Sequence, residues 1–172
     1  FINGKLESDA KEYELALAKD KNNMAVKNIL GVIYLQLGDK DKGLALLTES
    51  AATGDPGALF ALAKVYASGT GGIPIDQQKA YALYLQAAKK GNALAQGTLG
   101  AIALDKKDYV TAKYWFLQSR NLPGSQFGLG WIYANGAGVA KDRKKARAYL
   151  IQAANAGYIP AIEEAGRSLI KE

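Results

Sequence analysis

The side chains able to do chemistry in this chain are carboxylates, lysines, arginines and tyrosines, because it holds no histidine and no cysteine. Without cysteine there is no disulfide framework, no thiolate zinc site and no thiol nucleophile. Without histidine there is no Ser-His-Asp machinery, no imidazole ligand and no switch near neutral pH. Paired-carboxylate catalysis needs two acids that converge, and the only adjacent pair is Glu163-Glu164. Side chains one residue apart point to different faces of a helix. Asp105 and Asp108 flank a short polar turn and suit helix capping instead. Two glycine-rich loops, Gly69 to Asp76 and Gly136 to Asp142, have the composition of a phosphate cradle. No lysine-serine or lysine-threonine pair follows either loop and no strand pattern precedes it. Their glycines therefore read as backbone that needs positive φ, with Ile73 or Val139 tucked under a hairpin and Asp76 or Asp142 as an N-cap. We expect no catalytic residue, no metal site, no cofactor and no small-molecule substrate.

The remaining chemistry is charge. The chain of 172 residues carries 22 basic against 16 acidic side chains, a formal charge of +6. Its densest basic run is Lys141-Asp142-Arg143-Lys144-Lys145-Ala146-Arg147, which reads as the solvated start of a helix rather than as a phosphate- or acid-binding patch. The other lysines are dispersed and do not alternate with aromatics, so nucleic acid is not an expected partner. Hydrophobic residues at 49% and charged ones at 22% are globular proportions. No apolar run approaches the roughly 18 to 20 residues of a membrane span. A first residue of Phe1 reads as a processed mature chain or an excised piece, with any signal peptide already gone.

The elements that position these residues repeat. Gly31-Val32-Ile33-Tyr34, Ala63-Lys64-Val65-Tyr66, Gly100-Ala101-Ile102-Ala103 and Gly130-Trp131-Ile132-Tyr133 fall into register, with a degraded fifth copy at Gly166. Their spacing of roughly 30 to 37 residues is that of a helix-hairpin array. A leucine precedes each small residue (Leu30, Leu62, Leu99, Leu129), and a second stripe runs through Gly43-Leu47-Ser50, Ala80-Tyr84-Ala87, Ala112-Phe116-Ser119 and Ala146-Leu150-Ala153. Both spacings mark one face of an α-helix. Small residues let paired helices approach and larger ones fill the space beside them. Gly54, Gly91 and Gly157 suit left-handed C-caps, and Asp55-Pro56 or Asn92 the next helix start. The expected fold is all-α, with an N-terminal capping helix in 1–21, repeats at 22–55, 56–92, 93–123 and 124–157, and a C-terminal capping helix in 158–172. At Ser8 to Lys19 a second-helix pattern stands alone, with Leu15 and Ala18 on its packed face. The polar character of both ends reads as a complete small array, a single domain.

Tyr66-Ala67-Ser68-Gly69, Gly71-Gly72-Ile73, Asp76, Lys79-Ala80, Ala87-Ala88, Gly91-Asn92 and Ala95 together resemble the Sel-1-like repeat, and Tyr133 to Gly157 matches it again. The two short-looped units look more like tetratricopeptide repeats, and the third departs further, with Ala103 for tyrosine and a shortened turn before Pro123. The resemblance implies a right-handed α-solenoid of stacked antiparallel hairpins, about four full repeats plus half-repeat caps, with first helices lining a concave side. On that face it places Asn28, Leu35, Gln36, Phe60, Lys64, Asp105, Phe127, Trp131, Asn135 and Arg167. Aromatics at helical spacing are more often core than binding surface; Trp131 stands out because Leu129, Ile132 and Tyr133 already supply its repeat's interior. With Asn135 and Lys64 flanking it, Trp131 has the makings of an interface hot spot. Val32 stands where a carboxylate clamp would want asparagine after Asn28, so an acidic C-terminal tail is not the expected ligand of this groove.

The resemblance further implies a non-catalytic adaptor or scaffold, often bacterial and exported to the periplasm, that binds a peptide or folded protein. The alternative is an immunity protein that neutralises a secreted toxin enzyme, such as a type VI secretion effector, and the alternative compartment is the cytoplasm.

Overall fold

The computed structural model describes residues 2–170, all of whose regular structure is helical. Their contacts divide into two compact units, one running up to Asn92 and the other beginning at Ala93.

The first unit holds α1 (Ile2–Lys19), α2 (Met24–Gln36), α3 (Lys40–Ala52), α4 (Pro56–Ser68), a 3-10 turn at Thr70–Gly72 and α5 (Gln77–Lys89). Helices start where a short polar side chain can accept a hydrogen bond from an otherwise orphaned amide. Asn23, Asp39, Asp55 and Asp76 do this for the N–H groups of Val26, Lys42, Ala58 and Lys79, at 3.1, 3.2, 2.8 and 2.9 Å. Pro56 adds a pre-set φ at the first position of α4. Gly54 and Gly91 end helices with φ of +78° and +87°, as their positions predict. The α2–α3 pair is held by a reciprocal exchange: Leu47 sits against Gly31 and Leu35 against Gly43. A methyl group added at either glycine would lie 2.9 or 2.6 Å from the facing leucine Cγ.

The packed face of α1 differs from the sequence expectation. Leu15 is 66% exposed, while Ala10 is buried and Leu6, Tyr13 and Leu17 pack with it on Leu30 and Ile33. The spacing 6, 10, 13, 17 is itself a helical stripe; aligning α1 on the later repeats put Leu15 on the wrong side of it. α1 is also tied down by Tyr34, whose hydroxyl donates to the Glu14 carboxylate. Burial first, then that bond and the charges of Glu14 and Asp39, push the Tyr34 phenol up to about 12. An unfolded tyrosine ionises near pH ~10, so the stabilisation is whole below that pH and is lost as pH climbs toward ~12. An absorbance titration of the protein minus that of Tyr34→Phe should show one phenol ionising well above ~10; a difference centred at ~10 would mean the bond does not form.

The second unit holds α6 (Ala93–Asp105), α7 (Tyr109–Gln118), α8 (Pro123–Asn135), α9 (Arg143–Asn155) and α10 (Ile159–Ile170). Asp108 and Asp142 cap α7 and α9 through the amides of Thr111 and Lys145. Asp105, in contrast, is the last residue of α6 and caps nothing at its N-terminus. The shortened turn before Pro123 appears as an α7 of only 10 residues. Its core gathers Ala103, Ala112, Phe116, Leu129 and Ile132, with Val139 of the glycine-rich loop packed against them. The Phe116 ring lies between Gly100 and Gly128, both helical and both without room for a methyl group.

One device recurs in both units. Lysines 42, 79 and 145, each three residues after its capping aspartate, lie over the rings of Tyr34, Tyr66 and Tyr133 at 5.2, 4.1 and 5.3 Å. Each such cation–ring contact is worth about 0.5 to 1 kcal/mol at an exposed site. In the third hairpin both members are replaced together, by Ala103 and Thr111. The Thr111 hydroxyl and amide bond Asp108 instead and hold its carboxyl below the usual range.

Candidate functional site

In the first unit, α4 carries Phe60 and Lys64 one turn apart. Phe60 is half-buried, its ring 5.7 Å from Tyr84, and the Lys64 ammonium lies 6.0 Å from the Phe60 centroid. Burial raises the Tyr84 phenol. On α2, Gln36 is exposed and Asn28 half-buried, its Oδ1 enclosed without a hydrogen-bond partner. Leu35 is a correction: at 1% exposed it belongs to the core, seated against Gly43 and against Gly71 of the glycine-rich loop. The reason is local, because two glycines from different segments open one pocket that only a large apolar side chain fills. Lys27, which sequence reasoning passed over, is buried on α2 and pairs with Glu49 of α3. It lies three residues before Leu30 and four before Gly31, on the buried face of α2, so the helical spacing marks the position and only its charge argued against burial.

In the second unit, α8 presents Phe127, Trp131 and Asn135 on one face, each one turn from the next. Phe127 is half-buried beside Tyr158, with centroids 5.5 Å apart. Trp131 is 38% exposed and tilts against Tyr109 at 6.1 Å. The Asn135 amide donates to the Trp131 carbonyl at 2.9 Å, leaving its own carbonyl oxygen to solvent. The result is an aromatic row, Tyr158, Phe127, Trp131 and Tyr109, that belongs wholly to this unit. Tyr109 and Tyr158 were not on the expected list. Each sits at the start of a helix, a place where an aromatic is easily taken for a staple. Lys64, expected beside Trp131, is in the other unit. Asp105 is exposed, and Arg167 on α10 is exposed and paired with Glu163 and Glu164 at 3.8 and 3.9 Å.

Among the described residues no group of three or more acidic side chains is placed to hold a metal ion. The described residues also contain no helix long and apolar enough to cross a membrane. What the surface offers is rigid apolar area edged by hydrogen-bonding groups.

Capped helix hairpins joined by glycine-seated side chains define a tandem helical-repeat protein. The Sel1 repeat model matches residues 56–92, 100–122 and 123–158, and the chain belongs to that family. The match takes in the third hairpin, with its short turn, as well as the two with glycine-rich loops. The chain is 30% identical over 122 residues to cytochrome c oxidase assembly factor 7A of Xenopus laevis, covering 64% of this chain and 53% of that protein. It is 31% identical over 111 residues to the ERAD-associated E3 ubiquitin-protein ligase component HRD3B of Arabidopsis thaliana, covering 63% of this chain and 18% of that one. It thus spans about half of one relative and under a fifth of the other. Among solved structures, a Sel1 repeat protein from Oxalobacter formigenes superposes with a TM-score of 0.76 at 27% identity, over 89% of this chain and 47% of that one. The fold class is therefore that of the α-solenoids.

Proposed function

We propose that this chain is a non-catalytic interaction module that binds a protein partner, with the α8 face as its main contact. The observation that carries this reading is Trp131, exposed on a rigid helix beside Tyr109 and in line with Phe127. Interface hot spots are enriched in tryptophan and tyrosine held by packing, with polar groups at the rim. Membership in the Sel1 repeat family supports it, since these are interaction repeats rather than enzymes. So do the names of the relatives, an assembly factor and a ligase component, both of which work on other proteins. Phe60, Lys64 and Gln36 form a smaller accessory surface on the first unit under the same reading. The exported compartment fits a cysteine-free chain and sets where to look first.

Affinity capture from the envelope and culture fluid of the native cell, read by mass spectrometry beside Trp131→Ala, tests this. A set of proteins lost from the variant supports an adaptor that uses the α8 face. A single stoichiometric partner with hydrolase features, lost likewise, would make the protein an inhibitor. A profile unchanged in Trp131→Ala would remove the α8 face from the reading.

A further inference from the structure

The basic run near residue 144 has a structural setting that the α8 face does not absorb. A methyl group added at Gly138 would lie 3.0 Å from the Tyr109 Cβ and 3.9 Å from the Val110 amide. The α8–α9 loop therefore rests on the start of α7, beside the α6–α7 turn. This contact gathers Lys106 and Lys107 of the turn with Lys141, Arg143 and Lys144 at one end of the second unit. Two of the three acids there are already engaged: Asp108 by the Thr111 amide, and Asp142 by the Lys145 amide and by its ammonium at 3.7 Å. Arg143, Lys144 and Lys141 form no ion pair with any carboxylate among the described residues.

The fold does not require this charge. In the first unit the corresponding loop rests on the corresponding turn in the same way, Gly72 against Lys40. That end carries Lys40, Lys42 and Lys79 against Asp39, Asp41 and Asp76, in balance. The chain as a whole divides likewise, with 11 basic and 10 acidic residues up to Asn92, and 11 and 6 from Ala93 onward. Uncompensated like charge on one edge costs stability through self-repulsion, and the first unit shows that the same caps and loops form without it.

We propose that this end of the second unit docks an acidic segment of a protein partner, a surface separate from the α8 face. The partner's carboxylates meet Lys107, Lys141, Arg143 and Lys144, and a small apolar side chain meets Val110, which is 71% exposed at the start of α7. Charge complementarity speeds encounter and selects the partner, while the apolar contact holds it. A nucleic acid fits less well because the rings nearby are already used: Tyr109 leans on Trp131, and Tyr133 stacks on Tyr149 beneath Lys145. Stacking platforms need open ring faces. A membrane surface would want large apolar side chains to insert beside the cations, and Val110 is a small one.

The test is fluorescence anisotropy of a labelled peptide of alternating glutamate and valine, about 12 residues long, added to the whole protein at low salt. The peptide should bind, and Arg143→Glu with Lys144→Glu should weaken it by about tenfold or more. Val110→Ser should weaken it by about threefold to tenfold, and raising salt from about 50 to 300 mM should do so further. Arg143→Gln with Lys144→Gln, which only removes charge, should act in the same direction and serves if the reversal unfolds the unit. Absence of peptide binding, or affinity unchanged in these variants, would overturn the proposal. Tighter binding to a thymidine oligonucleotide or to phosphatidylserine vesicles would overturn it in favour of those ligands. Because the probe is synthetic, its failure leaves the Trp131 capture experiment standing, and failure of that capture leaves this one standing.

Discussion

Phe116→Ala is expected to lower the stability of the second unit by about 3 to 5 kcal/mol, the usual range for deleting a buried aromatic ring. The ring is 3% exposed and wedged between α6 and α8. A methyl group at Gly100 would come within 2.5 Å of its Cδ1, and one at Gly128 within 2.5 Å of its Cε2. Such a close fit makes a sharper prediction than the loss alone. In the parent, Gly128→Ala overpacks the ring and should cost about 1 to 3 kcal/mol. In Phe116→Ala the same methyl group enters empty space, and alanine is worth about 0.5 to 1 kcal/mol over glycine inside a helix. Gly128→Ala should therefore change sign between the two backgrounds, a coupling that urea denaturation of the four proteins measures directly. Equal effects in both would mean that the ring does not occupy the slot between these glycines.

That slot also explains how much of the fold could be read beforehand. Glycines and alanines at the same place in every hairpin mark where two backbones nearly touch, so Gly31, Gly100 and Gly130 set the register without any structure. Capping aspartates mark helix starts for an equally local reason, and Asp39, Asp55, Asp76, Asp108 and Asp142 all perform as their positions require. Burial decided by segments distant in sequence could not be read the same way. Leu35 carried a surface position by analogy with related repeats, but a loop glycine some 35 residues onward closes over it. Leu15 failed for a similar reason, since α1 packs on its own stripe and not on the one inherited from later hairpins. The exposure of Trp131 was legible because its repeat's interior positions were already filled; its neighbour Tyr109 was not, because it comes from the preceding hairpin, where the α8–α9 loop rests on it. The lysine–tyrosine pairs lay open to sequence reasoning all along. The joint loss at Ala103 and Thr111 is visible in the alignment of repeats, but only the tyrosine's absence stood out without the geometry.

Leu35 and Trp131 now separate stability from binding. Leu35→Ala should cost about 2 to 5 kcal/mol, because it empties a pocket bounded by Gly43 and Gly71, whose backbone cannot collapse far. The protein that remains folded should hold its partner as the parent does. Trp131→Ala should behave oppositely. Its ring has one aromatic neighbour and keeps 38% of its surface in solvent, so melting should shift by only a few degrees. Its loss from a partner interface should weaken binding by about 2 kcal/mol or more, roughly thirtyfold. Calorimetric titration of the captured partner, paired with thermal melts of both variants, reads the two effects independently. If Trp131→Ala unfolds the second unit while Leu35→Ala abolishes binding at full folding, the roles are reversed and the contact lies on α2. The crossed outcome expected here would show that the α8 face works because it is held rigid, not because it holds the fold.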